Sequence, residues 1–317
     1  MADDIGRIAV LMGGISNERE ISLRSGETVL NALLGENMDA EGFDVKDDDL
    51  EKLSAGLKEK NIDAAFIALH GRMGEDGKIQ RALEEAGIPY TGSGVSSSAL
   101  CFNKLLANTV LESFEVPVPE YYFMNAGKSG CALPFDFPVV VKPVEGGSAI
   151  GVTIARNPGE LKEGIETALA EDKNILVEKY IRGRELTVSV IGNGIISVLP
   201  VIEITTDEEF YNFSAKYVPG KSRHILPADL ASREEERVRK ESEKAYRVLG
   251  CRGFARIDII LSEEGIPYVL DVNTIPGMTS TSLFPEAARA AGLTAGKLCR
   301  RLVEMAAAGG REARAGA

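Results

Sequence analysis

Arg256-Ile257-Asp258-Ile259-Ile260, followed beyond the turn-like Ser262-Glu263-Glu264-Gly265 by Tyr268-Val269-Leu270-Asp271-Val272-Asn273-Thr274-Ile275-Pro276-Gly277, reads as two apolar strands joined into a hairpin. Alternation puts Arg256 and Asp258 on one face of the first strand and Asp271 and Asn273 on one face of the second. One cation, two carboxylates and an amide carbonyl then converge. Oxygen donors of this kind suit Mg²⁺, which shares its shell between protein carboxylates and substrate phosphates. The functional reading is metal-nucleotide chemistry; the bland one is a charged, exposed hairpin face.

Outward from this hairpin, the chain has 317 residues, enough for two to three domains at about 150 residues each. Hydrophobic residues make up 44% and charged residues 26%, ordinary values for a globular protein with a sizeable core. The net charge of -12 disfavours a broad attraction to nucleic acid or to an anionic membrane, so an anionic substrate needs a local basic site. Cys101, Cys131, Cys251 and Cys299 are far apart and form no CxxC pair, which disfavours zinc and a disulfide framework. The first residues lack the basic and long apolar regions of a signal peptide, and no apolar run approaches the ~20 residues of a membrane helix. A cytoplasmic protein with reduced thiols is expected.

Toward the N-terminus, Ile8 to Met12 reads as a buried strand, Gly13-Gly14 as a tight turn and Ser16 to Leu34 as a helix. Ala64 to Leu69 repeats the strand and ends at His70-Gly71, and Lys78 to Ala86 reads as a helix stopped by Gly87 and Pro89. Strands alternating with helices imply a mainly parallel sheet whose ligands sit beyond the strand carboxyl ends, where Glu18 and His70 fall. A second, α+β region follows, with a helix over 103–113 and strands around Val139 to Lys142 and Ile175 to Lys179. Glu185 to Ile191 and Ile195 to Glu203 read as a hairpin opening a third unit. Thr206 to Arg223 lacks apolar periodicity but carries Phe210, Tyr211, Phe213 and Tyr217, which fits a functional loop or lid. The expected units are 1–100, 101–185 and 186–317, with the lid at 206–223.

Glu145 to Gly151 is a glycine-rich loop after Lys142-Pro143; it could bring backbone amides to phosphate, or be a plain glycine turn. Lys and Ser/Thr do not follow Gly151, so the Walker signature fails, and neither Gly92-x-Gly94 nor Gly13-Gly14 completes a dinucleotide fingerprint. Lys142 and Lys179 sit in apolar strands, where an ammonium either meets an anion or snorkels to solvent. His70 reads first as a structural histidine, and His224 only as one. Asp47-Asp48-Asp49 reads as a solvated loop.

Taken together, Gly13-Gly14-x-Ser16-x-Glu18-Arg19-Glu20-x-Ser22, His70-Gly71, Gly92-Ser93-Gly94, Asn103-Lys104, Lys142-Pro143, Gly147-Ser148, Glu178-Lys179, Lys216-Tyr217, Arg256-Ile257-Asp258 and Asn273-Thr274-x-Pro276-Gly277-Met278-Thr279-x-x-Ser282-Leu283 resemble the D-alanine:D-alanine ligases, from about Ile8 to Gly292. The resemblance implies a Rossmann-like N-terminal domain followed by a two-part ATP-grasp fold. It implies joining of two D-alanine molecules through a D-alanyl phosphate for peptidoglycan precursor synthesis. ATP is the expected co-substrate, with two Mg²⁺ for which Mn²⁺ can substitute, in a homodimer that contacts neither nucleic acid nor membrane.

By the same resemblance, the catalytic positions are Glu18, Ser148, Tyr217, Arg256 and Gly277. The substrate positions are Glu18, His70, Lys216, Ser282 and Leu283. The nucleotide positions are Lys104, Lys142, Ser148, Glu178, Lys179, Ile181 and Glu185, and the metal positions are Asp258, Asp271 and Asn273. Asp271 stands where the family usually has Glu, which shortens its reach, and Ala149 stands where a second serine is common. Two rival functions remain: a D-alanine:D-lactate ligase, disfavoured by Lys216-Tyr217, and a nucleotide-binding regulatory module without catalysis, disfavoured by the presence of Arg256 and the metal acids.

Overall fold

The computed structural model describes residues 5–126, 133–206 and 220–315, with side chains to residue 309. The first sheet is parallel, in the order β2 (Ala40–Val45), β1 (Ile8–Gly13), β3 (Ala64–Ile67). Both its faces are covered, which is why β1 and β3 read as unbroken apolar runs. Ala9, Leu11 and Ile67 pack beneath α2 (Leu50–Glu59) and α3 (Lys78–Ala86). Ile8, Val10 and Phe66 pack on the other face with α1 (Arg19–Gly35). The helix expected from Ser16 begins at Arg19, because the Ser16 hydroxyl is spent in the preceding turn, donating to the His70 carbonyl at 2.7 Å and accepting from the Glu18 amide. Asp49 of the acidic run has a local task, capping α2 through the Lys52 amide.

After α4 (Val95–Phe102), Asn103 caps α5 (Lys104–Ser113) by accepting from the Leu106 amide. The second sheet is antiparallel, ordered β4 (Tyr121–Asn125), β7 (Asn174–Lys179), β5 (Val139–Pro143), β6 (Thr153–Ala155), with α6 (Pro158–Glu171) packed on it.

The third sheet runs β11 (Ser222–Ile225), β10 (Ile202–Thr206), β8 (Gly183–Asn193), β12 (Gly253–Ser262), β13 (Pro267–Asn273), with β9 (Ile195–Val198) also pairing β8. The single strand expected over 195–203 is thus two. Pro200 has no N–H to continue the ladder, so the chain breaks there and pairs β8 in two separate stretches. One face, with Val188, Ile257, Ile259, Val269 and Val272, packs on α7 (Ser232–Val248) and α5. The opposite face carries Thr187, Arg256, Asp258, Asp271 and Asn273 at one end. At its other end Phe254 packs into the first sheet's core, its ring centroid 6.3 Å from Phe66 and 5.3 Å from Phe284 of α8 (Leu283–Ala290). The last helix, α9 (Ala295–Ala315), returns to α1, with Arg300 paired to Glu36 at 3.2 Å. Among the described residues no helix is long and apolar enough to cross a membrane.

Candidate active site

The β12–β13 hairpin sets Arg256 opposite Asn273 and Asp258 opposite Asp271, with Thr187 of β8 opposite Asp258 on the other side. All five side chains therefore share a face. The Arg256 guanidinium donates through Nε and Nη2 to the two Asp258 oxygens at 2.8 and 2.7 Å, and the Thr187 hydroxyl donates to Oδ1 at 2.7 Å. Between Asp258 and Ile259 the register slips, so that Ile259 faces Val269 and Leu270 is left as the extra residue of a bulge. The bulge returns Val269 to the core side. It also leaves the Leu270 carbonyl to accept from Lys142 Nζ at 3.3 Å, which joins the third sheet to the second.

Lys142 and Glu178 share a face of the second sheet as diagonal cross-strand neighbours, since Val140 pairs with Glu178. Lys142 does not snorkel: its ammonium lies 2.7 Å from Glu178 Oε1, and the two side chains retain 8% and 3% of their surface. Asn108 also donates to Glu178, at 3.3 Å. Lys179 is exposed. Lys104, at the start of α5, donates to the Gly146 carbonyl at 2.6 Å, and Asn103 donates to Glu145 at 3.3 Å, so both ends of the α4–α5 junction hold the glycine-rich loop.

Within that loop Ser148 and Ala149 take φ of 54° and 57°, a left-handed conformation that non-glycine residues adopt only when their surroundings impose it. The turn aims the Ser148 hydroxyl at Glu18, to which it donates. A Cβ on Gly147 would lie 2.9 Å from a Glu18 oxygen, so glycine is what lets the loop approach the acid.

The hairpin and this loop wall two adjoining cavities. The larger, about 1280 Å³, lies between the second and third sheets and takes in Lys104, Lys142, Ser148, Glu178, Lys179, Ile181, Glu185, Asp258 and Asp271. Val140, Ile154, Ile181, Ile260 and Leu270 give it an apolar wall suited to a planar base. The smaller, about 910 Å³, lies against the first sheet and takes in Glu18, His70, Ser148, Arg256, Asn273, Gly277, Ser282 and Leu283. Lys104, Gly146, Gly147, Ser148 and Asp271 border both. Every candidate residue read from the sequence thus lines one cavity or both, apart from Lys216 and Tyr217, which lie outside the described residues together with most of the expected lid.

In the smaller cavity, a Cβ on Gly277 would sit 2.8 Å from Ser282 Oγ, which is itself held by the Thr279 amide and hydroxyl at 3.1 and 2.7 Å. Glu75, which the sequence reading passed over, is buried in the same wall. Burial pushes its carboxyl up, as do the nearby charges of Glu18 and Asp271, while His70 opposes them. Its only sequence signal was its position in the Gly71 to Asp76 loop beyond β3, where ligands of a parallel sheet collect. His70, in the same wall, has its Nε2 3.2 Å from Ser25 Oγ and its Nδ1 3.7 Å from Glu75.

Among the described residues no group of three or more His, Cys, Asp or Glu gathers as a metal cage. The donors nonetheless fit Mg²⁺ in the shared mode. Asp258 and Asp271 are carboxylates directly opposite one another, and since Arg256 offsets the charge of one, the pair keeps a net negative charge that suits a further cation. Asn273 Oδ1 accepts from the Ile275 amide at 3.0 Å and keeps a second lone pair.

Residues 110–304 match the family described as D-ala D-ala ligase C-terminus, and residues 44–93 match the D-ala D-ala ligase N-terminus. The chain belongs to the D-alanine:D-alanine ligase family. It is 46% identical over 303 residues to the D-alanine:D-alanine ligase of Geotalea uraniireducens, covering 95% of this chain and 96% of that one. Identity to the ligase of Desulforudis audaxviator is 45% over 307 residues, covering 95% and 99%. The solved D-alanine:D-alanine ligase of Bacillus anthracis complexed with ATP superposes with a TM-score of 0.83 at 34% identity, over 97% of this chain and 99% of that one. The architecture shared with these ligases is the ATP-grasp fold.

Proposed function

We propose that this protein joins two D-alanine molecules into D-alanyl-D-alanine, with ATP converted to ADP and phosphate, as a cytoplasmic step toward peptidoglycan. The observation that carries this reading is the meeting of a nucleotide-sized apolar cavity and a polar, acid-lined cavity at Ser148 and Asp271. A phosphoryl group on one side and a carboxylate on the other would face each other there. The units 1–100, 101–185 and 186–317 would supply the amino-acid wall, the nucleotide cover and the reacting face.

A carboxylate is a poor acyl donor because its oxide leaves badly, so the first D-alanine is phosphorylated and the amine of the second then displaces phosphate. Lys104 and Lys142 would bind phosphate oxygens, while Glu178, Lys179, Ile181 and Glu185, which line the same cavity, would border the base and ribose. Glu18, oriented by Ser148, would receive the first ammonium group. Arg256 and the Gly277 amide would stabilise the oxyanion of the tetrahedral intermediate, at about 3 kcal/mol of barrier per donor. Ser282 and Leu283, with Lys216, would hold the carboxylate of the second D-alanine beside His70. Tyr217 would close over Ser148 and Glu18 and keep water from the acyl phosphate. Asp258, Asp271 and Asn273 would hold two Mg²⁺, or Mn²⁺ in their place, which supply charge neutralisation of the transferring phosphoryl group. The expected assembly is a homodimer.

Phosphate release from ATP and Mg²⁺ is the test, with D-alanine, L-alanine, or D-alanine plus D-lactate, and products identified by mass. D-alanine-dependent release with D-alanyl-D-alanine as product is expected. A depsipeptide as main product would move the protein to the D-lactate ligases, and ATP binding without release would remove the catalytic reading.

A further inference from the structure

We propose that Glu75 binds the ammonium group of the second D-alanine, accepts the proton this group loses before it attacks as the neutral amine, and so selects an amine over a hydroxyl at that subsite. This rests on the ligase reading above. The charges lining the smaller cavity are Glu18, Glu75 and Asp271 against Lys104 and Arg256, with His70 between them. Arg256 is committed to Asp258 through two hydrogen bonds, and Lys104 to the Gly146 carbonyl. The cavity therefore has a surplus of negative charge, and two amino-acid substrates bring two ammonium groups. Glu18 is engaged by Ser148 and faces the glycine loop, while Asp271 stands opposite Asp258 in the metal pair. Glu75 is the acid left for the second ammonium.

A buried chain of contacts links Glu75 to the other end of the same amino acid. The Met278 amide donates to Ser25 Oγ at 3.2 Å, Ser25 Oγ lies 3.2 Å from His70 Nε2, and His70 Nδ1 lies 3.7 Å from Glu75. In the Nδ1–H tautomer of the neutral imidazole, Ser25 donates to Nε2 and the Nδ1–H faces the Glu75 carboxylate. Met278 follows Gly277 and leads to Ser282, the proposed carboxylate site. The two poles of one α-amino acid would thus be received by groups that one chain of contacts connects. An alcohol acceptor such as D-lactate would leave the Glu75 carboxylate buried without a countercharge, which is how a polar site rejects an analogue lacking the matching group.

The experiment compares wild type with Glu75→Gln, using D-alanine or hydroxylamine as the acceptor for D-alanyl phosphate. Loss of a charge-assisted contact predicts a rise in KM for the second D-alanine of roughly 10- to 100-fold. Hydroxamate formation, which does not use that ammonium, should change less than about threefold, and D-lactate should compete better than in wild type. An unchanged second-site KM, or equal loss of dipeptide and hydroxamate, overturns the proposal. Should Glu75→Gln lose its fold, Glu75→Asp decides: the same selective rise is expected, and an unchanged KM again overturns it. A wild type that forms neither product refutes the ligase reading itself, an outcome distinct from a failure of Glu75 alone.

Discussion

Arg256 and Asp258 hold one another in a two-bonded pair on the strand that faces the substrate cavities, so each fixes the other's position. Asp258→Asn should lower Mg²⁺-dependent turnover by about a hundredfold or more, since it withdraws the carboxylate proposed for the metal and releases the guanidinium together. Titration of turnover against Mg²⁺ checks this, and full activity at ordinary Mg²⁺ would take Asp258 out of the site. Lys142 and Glu178 make a more deeply buried pair. Lys142→Met should cost about 3 kcal/mol by stranding Glu178, while Lys142→Met with Glu178→Leu should recover most of that stability without recovering ATP binding. Denaturant midpoints and nucleotide affinity separate the two effects. Glu75 supplies a pH test. Its folded-state pKa is raised, so the native state binds the proton more tightly than the unfolded chain, and stability is lost as pH climbs from the ordinary glutamate value through the raised one. Glu75→Gln should therefore match wild type in Tm at acid pH and exceed it toward neutrality; a difference that does not vary with pH would contradict this.

The hairpin was legible because its signals are local: period-two alternation places Arg256, Asp258, Asp271 and Asn273 on one face whatever the rest of the chain does. The Leu270 bulge was not legible, because Tyr268 to Asn273 reads as an unbroken strand and only pairing with β12 reveals the slip. Likewise, Pro200 marked a break that matters only once β8 is seen to be long enough to pair on both sides of it. Glu75 was hidden for a different reason. An acid in a polar loop has no local mark of burial, and its importance comes from Glu18, His70 and Asp271, brought in from other elements. At this scale Asn103 is the joint to test, since it caps α5 and also reaches Glu145. Asn103→Ala should cost about 1 kcal/mol of stability. It should also raise the KM for ATP through the displaced Lys104–Gly146 contact, and a stability loss with unchanged KM would sever that link.

The larger cavity lies between two sheets, so its ligand ties them together. A non-hydrolysable ATP analogue with Mg²⁺, at about 100 times its Kd, should add about 2.7 kcal/mol of stability to the whole molecule. A Tm that ignores the analogue would place nucleotide binding elsewhere. Beyond the cavities, the parallel sheet and the end of the chain share one core: Val10, Leu33 and Phe66 are covered by Phe254, Phe284, Leu298 and Leu302. On a translating ribosome β1, α1 and β3 therefore emerge with an oily flank exposed, and the residues that cover it are synthesised only with β12 and the helices after it. N-terminal regions usually fold first as the chain is made. Here β1, α1 and β3 share their core with β12, α8 and α9, so a nascent chain halted before those elements would leave that flank uncovered.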